Sequence, residues 1–174
     1  MRKIVLLLVL VLSVTLASQA QNVRYGVKAG LNFSDLDADG DFSDTDTRIA
    51  PAVGFFAEIG LADDLKFQPE FLYSAQGGKQ ESARVDYLQL PLLLKYNLTK
   101  IINIQLGPQP GIKIHEFEDG YKNFEFAGLG GIGLDLNDNF TIEARYAFGL
   151  SDIIDAEAID AKNRYLQVLV AFKL

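Results

Sequence analysis

Apolar and polar residues alternate along eight segments of the chain. The segments are 23–33, 50–61, 65–75, 85–97, 102–114, 123–135, 140–150 and 164–174. In the first of them, Tyr25 and Val27 fall on one face and Lys28 falls on the other. Alternation with period two over roughly 10 residues is typical of strands that cross a bilayer at a tilt. The pattern therefore predicts eight membrane-spanning strands.

The connections between these segments alternate between long and tight. Long polar connections are predicted at 34–49, 76–84, 115–122 and 151–163, and tight turns at 62–64, 98–101 and 136–139. Long loops on one rim and short turns on the other are the plan of an outer-membrane barrel. The fold class predicted is all-β, an eight-stranded antiparallel up-and-down transmembrane β-barrel. Both mature termini are expected on the short-turn, periplasmic side of the outer membrane.

Alternation alone does not say which face points inward, because a soluble periplasmic lipocalin-like binding barrel alternates with the opposite orientation. The polar face contains many glycines, among them Gly30, Gly54, Gly107 and Gly131. Small residues suit the narrow interior of an eight-stranded barrel and have no purpose on a wet exterior. The composition favours polar residues inside and apolar residues against lipid, with the lipocalin-like barrel as the alternative.

Aromatic residues lie towards both ends of the predicted strands on the apolar face. Tyr25, Phe67, Tyr96, Phe140 and Phe172 fall by the short turns, and Phe33, Tyr73, Phe124 and Phe148 fall by the long loops. Aromatic girdles at the two headgroup layers have this distribution. It favours the membrane barrel over the soluble one.

The first 20 residues have the layout of a secretory signal peptide. Arg2 and Lys3 precede an apolar run from Ile4 to Leu12, and small residues at Ser18 and Ala20 suit cleavage after Ala20. We assign 1–20 to a signal peptide and 21–174 to the barrel domain. Removing the leader leaves 14 basic against 23 acidic side chains, a net charge of −9, which argues against nucleic acid as a partner. The chain has no cysteine, so disulfides and thiolate metal sites are excluded.

If the polar face lines the lumen, several charges share a narrow space. This lumen charge cluster consists of Lys28, Glu58, Glu70, Lys95, Glu125, Glu143 and Arg145. Buried charges must pair, and about eight strands give an interior that side chains fill. We therefore expect a plugged barrel with a structural or interaction role, and a narrow gated pore for small solutes or ions as the alternative.

The first long loop contains the sharpest local motif, "DLDADGDFSDTD" from Asp35 to Asp46. Asp35, Asp37, Asp39 and Asp46 match ligand positions of a calcium loop, in which hard cations take oxygen ligands around a glycine turn. The last position holds Asp in place of the longer Glu, and no helices flank the motif. The expectation is no resident cofactor, with weak calcium binding at these four aspartates as the metal hypothesis.

Catalytic constellations are absent from the sequence pattern, and we expect no enzymatic activity. His115 is the one histidine and lies at a loop edge, so a hydrolase would have to recruit Ser74, Ser82 or Ser151 from elsewhere. The third and fourth long connections are acidic, with Glu116, Glu118 and Asp119 in one and Asp152, Asp155, Glu157 and Asp160 in the other. Acidic loops of this kind bind a partner or keep the surface hydrated, and the residues specify no ligand.

Four stretches together resemble a known family. They are "YGVKAGLNFSDL" at 25–36, "FQPEFLYSAQGGK" at 67–79, "DYLQLPLLLKYNL" at 86–98 and "LGPQPGI" at 106–112. The chain is similar there to the PorT-like, porin-family outer-membrane β-barrels of Bacteroidetes-type bacteria. The resemblance implies outer-membrane lipid and the barrel-assembly machinery as partners, and a link to a protein secretion system. It implies no catalytic residues, and Leu174 departs from the aromatic residue that often ends such barrels.

The proline of "DYLQLPLLLKYNL" conflicts with a closed barrel. Leu88, Leu90, Leu92, Leu94 and Tyr96 are predicted to face lipid, and Gln89, Pro91, Leu93 and Lys95 to face the lumen. A proline removes a ladder donor, and a closed barrel has no free edge to tolerate the loss. We therefore predict a bulge, or a carbonyl satisfied from the lumen, at Pro91.

Overall fold

A computed structural model describes residues 23–35, 48–77, 84–116, 123–150 and 164–174. Its strands are β1 (Val23–Asp35), β2 (Arg48–Gly60), β3 (Leu65–Gly77), β4 (Arg84–Gln89), β5 (Leu92–Asn97), β6 (Ile102–Glu116), β7 (Phe124–Asp135), β8 (Phe140–Gly149) and β9 (Arg164–Lys173). The predicted segments agree with these bounds to within a few residues. The predicted strand 85–97 is divided into β4 and β5, which continue one another along the same wall. None of the described residues belongs to a helix long and apolar enough to cross a membrane.

The strands close into an eight-stranded antiparallel barrel when β4 and β5 are counted as one wall strand. Each wall strand pairs with its sequence neighbours, and β9 returns to pair with β1 from Lys173 opposite Gly26 to Arg164 opposite Asp35. Full closure leaves no unpaired edge, which a strand fold needs in lipid. The fold class predicted from the alternation is confirmed.

Alternate residues of each strand point to the lumen or to the outside, and burial follows this alternation. In β9, Tyr165, Gln167 and Leu169 are buried while Leu166, Val168 and Val170 are exposed. The exposed face is apolar around the wall and the buried face carries most of the polar residues. This orientation contradicts the lipocalin-like alternative, because a soluble barrel keeps its apolar face inside and its polar face in water.

Aromatic residues of the outer face lie at both ends of the wall. Phe140 and Phe172, at the short-turn end of β8 and β9, have ring centroids 4.9 Å apart and a tilt of 50°. Phe124 and Phe148 are exposed near the opposite end. These positions suit the two headgroup layers of a bilayer.

The lumen contains apolar residues as well as polar ones. Leu72, Leu93, Leu129 and Leu169 are each 0% exposed. Leu72 packs over Gly54 on the neighbouring strand, where a Cβ atom would lie 2.7 Å from Leu72 Cδ2 and 2.0 Å from the Phe71 carbonyl oxygen. Glycines on the inner face therefore make room for large neighbours.

Pro91 lies in the lumen wall between β4 and β5, but it causes no bulge. The register of β3 is the same on both sides, with Leu72 opposite Gln89 and Pro69 opposite Leu92. The Pro91 carbonyl accepts a 2.9 Å hydrogen bond from the Glu70 amide of β3, so the ladder satisfies it and the lumen does not. The predicted bulge at Pro91 is wrong: the register shift is between Asp86 and Tyr87, near the long-loop end of β4.

Side-chain oxygens stabilise two of the short turns. Asn137 Oδ1 accepts hydrogen bonds from the amides of Asn139 and Phe140 at 2.9 and 2.8 Å. Thr99 Oγ1 accepts from the amides of Ile101 and Ile102 at 3.2 and 3.0 Å. Such turns satisfy backbone donors locally and hold the strand ends in position around the lumen mouth.

Candidate functional site

The centre of the lumen holds two cations and two carboxylates from three strands, which we call the central cluster: Lys28, Glu70, Glu143 and Arg145. Lys28 Nζ lies 2.8 Å from Glu70 Oε1 and 2.8 Å from Glu143 Oε2. Arg145 Nη2 lies 2.7 Å from the same two oxygens. All four side chains are at most 1% exposed, and their charges cancel. A neutral, closely paired arrangement is the one in which buried charges are tolerated.

Glutamine side chains complete the hydrogen bonding of the central cluster. Gln105 accepts from Arg145 Nε at 2.9 Å and donates to Glu143 Oε1 at 3.1 Å. Gln68 donates to Glu70 Oε1 at 2.7 Å. The Lys28 ammonium also lies 4.8 Å from the ring centroid of Phe56, within the range of a cation–π contact. The cluster is therefore joined to the walls on several sides.

A second group of charges closes the lumen towards the short turns, and we call it the floor cluster: Glu58, Lys66, Lys95, Asp135 and Lys173. Glu58 accepts from Lys66 at 2.7 Å and from Lys95 at 3.1 Å. Asp135 accepts from Lys173 at 3.1 Å, and its two oxygens also accept from Thr141 at 2.5 Å and Asn103 at 2.9 Å. Three ammonium groups here face two carboxylates.

A third group lies towards the long-loop end and is mostly uncharged. Gln89 donates to Glu125 Oε2 at 3.2 Å and to the Tyr165 hydroxyl at 3.0 Å, and Gln109 also donates to that hydroxyl. These four side chains are buried. Hydrogen-bonded amides and a phenol surround the Glu125 carboxylate, so the upper lumen is filled as well.

All seven residues of the sequence-derived lumen charge cluster lie inside the barrel, but the structure divides them into three groups. Lys28, Glu70, Glu143 and Arg145 meet at the centre, Glu58 and Lys95 belong to the floor, and Glu125 lies in the upper lumen. Sequence reasoning missed Lys66, Asp135 and Lys173. All three residues occupy inward positions of the alternation, and this pattern could have identified them. They lie close to the ends of their strands, where the alternation is harder to follow.

The calcium hypothesis falls mostly outside the described residues. Asp35 ends β1, whereas Asp37, Asp39 and Asp46 lie outside the described ranges. Within those ranges no group of three or more His, Asp or Glu side chains is arranged to hold a metal ion. Weak calcium binding by this loop stays a prediction.

The candidate hydrolase residues are not brought together where the structure describes them. His115 is exposed near the end of β6. Ser74 is buried in the lumen, where its hydroxyl accepts hydrogen bonds of 2.8 Å from Asn32 and from Gln76. Ser82 and Ser151 lie outside the described ranges. The absence of enzymatic activity stays a prediction.

Comparison with known proteins agrees with this architecture. The family model "Outer membrane protein beta-barrel domain" matches residues 19–155. The chain belongs to this family of outer-membrane barrels. Its location in the outer membrane and its contact with lipid follow from that membership. No curated protein matches the chain.

Solved outer-membrane barrels share the fold at low sequence identity. The attachment invasion locus protein Ail of Yersinia pestis superposes with a TM-score of 0.55 at 13% identity, over 87% of this chain and 98% of its own. Neisserial surface protein A gives a TM-score of 0.55 at 10% identity, over 87% and 97% of the two chains. These similarities concern the barrel alone.

Proposed function

We propose that this protein is a closed barrel that does not conduct, and that it serves as an outer-membrane scaffold presenting acidic loops for interaction. The observation that carries the proposal is the central cluster, in which Lys28, Glu70, Glu143 and Arg145 span the lumen with no net charge. The floor cluster closes the lumen below it, and the group around Tyr165 closes it above. Leu93 and Leu129 also lie in the interior with no exposed surface. An ion would have to break paired charges at more than one level to pass.

Planar-bilayer recording of the purified barrel tests the plug against the narrow gated pore. We expect no discrete conductance steps from the wild-type protein, while a porin reconstituted in the same bilayers reports that the assay works. Glu70→Ala combined with Arg145→Ala removes two of the four central side chains, and we expect this variant to stay closed as well, because the floor cluster and the group around Tyr165 remain. Discrete steps from the wild-type protein would establish the pore and overturn the plug.

The proposed topology places both termini and the short turns in the periplasm, and the long connections outside the cell. The plan of short turns on the periplasmic rim supports it. Protease added to intact cells is expected to cut within 34–49 or 151–163 and to spare 98–101. Cleavage at the short turns alone would reverse the assignment. N-terminal sequencing of the protein from outer membranes is expected to begin after Ala20, as the proposed signal peptide requires.

The proposed partner surface is acidic. Between 36 and 47 the chain carries five aspartates and no basic residue. One Ail structure is a complex with the heparin analogue sucrose octasulfate. The acidic loops of this chain disfavour an equally anionic ligand and favour a cationic one, such as a basic protein surface or calcium. Titration with millimolar calcium tests the metal: heat that is lost in Asp35→Ala supports it, and the absence of heat rejects it.

The finer family assignment is also part of this proposal. The stretches "FQPEFLYSAQGGK" and "DYLQLPLLLKYNL" support a PorT-like barrel of a Bacteroidetes-type bacterium, inserted by the barrel-assembly machinery. A role as a secretion-system component rests on that resemblance alone. Affinity purification from native outer membranes tests it, because co-purification of secretion components is expected only if the role is shared.

A further inference from the structure

A polar cavity of about 750 Å³ opens at the short-turn end of the barrel. Its walls come from the start of β1 and from the turns 61–64, 98–101 and 136–139, and its floor includes Glu58, Lys66, Asp135 and Lys173. The volume falls within the range of roughly 300 to 1,000 Å³ that is usual for small-molecule sites. We call it the short-turn cavity.

The floor of this cavity has an excess of one positive charge. Lys66, Lys95 and Lys173 share the carboxylates of Glu58 and Asp135, and no third acidic side chain belongs to this ion-pair group in the described part of the chain. Both Asp135 oxygens are already engaged by Thr141 and Asn103. Water reaches the excess charge mainly at the Lys66 side of the group, because Glu58, Lys95 and Lys173 are at most 5% exposed, so an anion there would compensate it more fully.

The basic groups that can donate further hydrogen bonds border the cavity. Lys66 lines it, its side chain is 23% exposed, and its ammonium makes one ion pair, with Glu58. An ammonium has three donors, so two remain for another acceptor. Lys173 also lines the cavity, although its side chain is only 5% exposed. An anion seated on the floor would neutralise the excess charge, even though the whole chain has a net charge of −7.

The rim of the cavity is electrically mixed. Arg24 and Lys100 supply two positive charges, and Asp63 and Asp138 supply two negative ones. A purely anionic ligand would pass carboxylates on the way in. A ligand that carries a carboxylate at one end and an ammonium at the other would match both the floor and the rim.

From these charges we propose that the short-turn cavity binds a small zwitterion, of the class of amino acids and short peptides, with its carboxylate on the floor. Lys66 and Lys173 receive the carboxylate, and Asp63 and Asp138 receive the ammonium. The site shares the floor cluster with the plug, but it requires neither the acidic loops nor a non-conducting barrel, so it stands whether or not the scaffold function does.

Calorimetric titration of the folded barrel in detergent tests the proposal with four probes. Three are peptides of similar size that differ in their terminal charges, and the fourth is an inorganic anion. Trialanine carries both charges, N-acetyl-trialanine only the negative one, trialanine amide only the positive one, and inorganic phosphate tests for a plain anion site. We expect trialanine to bind most tightly, the acetylated peptide more weakly and the amide not at all. Equal binding of amide and acid overturns the proposal, and phosphate binding as tightly as trialanine overturns its zwitterion requirement.

Three variants test whether the peptide binds at Lys66 in the short-turn cavity. Lys66→Met is expected to weaken trialanine binding by about tenfold or more, as expected for one charge-assisted hydrogen bond, and Lys66→Arg to retain it. Lys113→Met, at the opposite end of the barrel, is the matched control and should bind as the wild type does. Circular dichroism and the gel shift of the folded barrel verify that each variant is folded. Unchanged affinity in folded Lys66→Met overturns the site.

Asp138→Asn should change the affinities of two peptides in opposite directions, a result that loss of folding cannot produce. The substitution removes a rim carboxylate, so it should weaken binding of trialanine and strengthen binding of the acetylated peptide. Weakening of both peptides to the same degree would contradict the assigned direction of the ligand.

Discussion

Arg145 donates hydrogen bonds to both carboxylate oxygens of Glu70 across the full width of the barrel. Nη1 lies 2.8 Å from Oε2, and Nη2 lies 2.7 Å from Oε1. Their strands, β8 and β3, are four places apart in a ring of eight wall strands and therefore face each other across the lumen. A bidentate pair of this kind has fixed geometry as well as charge, so it ties opposite walls together.

Removal of one member of this pair should strongly destabilise the barrel. We expect Glu70→Gln and Arg145→Met each to lower the free energy of unfolding by about 3 to 5 kcal/mol, because the central cluster is left with one uncompensated buried charge. Urea unfolding in lipid vesicles, followed by far-ultraviolet circular dichroism, measures the loss. The double variant should lose less than the sum of the two single losses, since the second substitution removes the stranded charge.

Arg24→Met is the control for this prediction. Arg24 is exposed, and its guanidinium makes one long hydrogen bond of 3.4 Å to the Asp138 carbonyl. Its loss should change stability by no more than about 0.5 kcal/mol. Strictly additive losses in the double variant would show that Glu70 and Arg145 do not stabilise each other.

Two successive glycines of β7 should respond oppositely to substitution. A Cβ atom at Gly131, on the lumen side, would lie 2.6 Å from the Ala144 carbonyl oxygen and 2.7 Å from Arg145 Cγ. At Gly130, on the outer side, the nearest such atom is Leu106 Cδ1 at 3.8 Å. We expect Gly131→Ala to cost about 1 to 3 kcal/mol through overpacking.

Gly130→Ala is the matched control and should be neutral or slightly stabilising, because alanine has less backbone freedom to lose in the unfolded chain. Unfolding of both variants in the same vesicles decides the comparison. If Gly130→Ala proves the more costly of the two, the assignment of inner and outer faces on β7 is wrong.

The alternation along the chain, together with the glycines of the polar face, was enough to predict the strands, the closed barrel and the inward direction of Lys28. It could not predict the height at which an inward residue meets its partners, because that depends on the stagger between strands that are distant in sequence. Glu58 and Glu70 both point inward from neighbouring strands, yet one joins the floor and the other the centre. The same limit hid Asp135 and Lys173, whose pairing requires β7 and β9 to meet across β8.

The missing amide donor of Pro91 was not enough to predict the local structure of the wall, because its effect depends on the neighbouring strands. Pro69 lies opposite Leu92, and β6 contributes Pro108 and Pro110 at the same level of the wall. Between β6 and the β4/β5 strand, paired residues stop at Gln89 and resume at Leu94. The prolines together leave a stretch of ladder with few donors, although the register does not shift.

This proline-rich seam should be the least protected part of the wall. We expect the amides of Leu90 and Leu92, which point towards the prolines of β6, to exchange hydrogen faster than those of Val168 and Val170, which point into the continuous ladder between β9 and β1. Exchange measured by nuclear magnetic resonance in detergent micelles gives the comparison within one sample. Similar protection in both regions would mean that the missing donors do not weaken the seam.

Pro110→Ala should strengthen the seam locally. The Leu90 amide already donates to the Pro110 carbonyl at 2.8 Å, and alanine would add the reciprocal donor to the Leu90 carbonyl. We expect slower exchange at Leu90, with little change in global stability because alanine also gives the unfolded chain more freedom. Unchanged exchange at Leu90 would indicate that the new amide finds no partner there.

A charged substitution on the outer face should destabilise the barrel more strongly the deeper the substituted position lies in the lipid. Val168 lies midway along β9, faces outward and has neighbours Leu31 and Ala144 on the adjacent strands. Leu174 also is exposed but lies beyond the last strand residue at the short-turn end. An arginine at the bilayer midplane costs about 2 to 4 kcal/mol, and one near the interface about 0 to 1 kcal/mol. We therefore expect Val168→Arg to be destabilising and Leu174→Arg to be nearly neutral, measured by reversible urea unfolding in vesicles. A small cost at both positions would mean that Val168 does not face the hydrocarbon core, and the tilt and depth of the barrel in the membrane would then have to be reassigned.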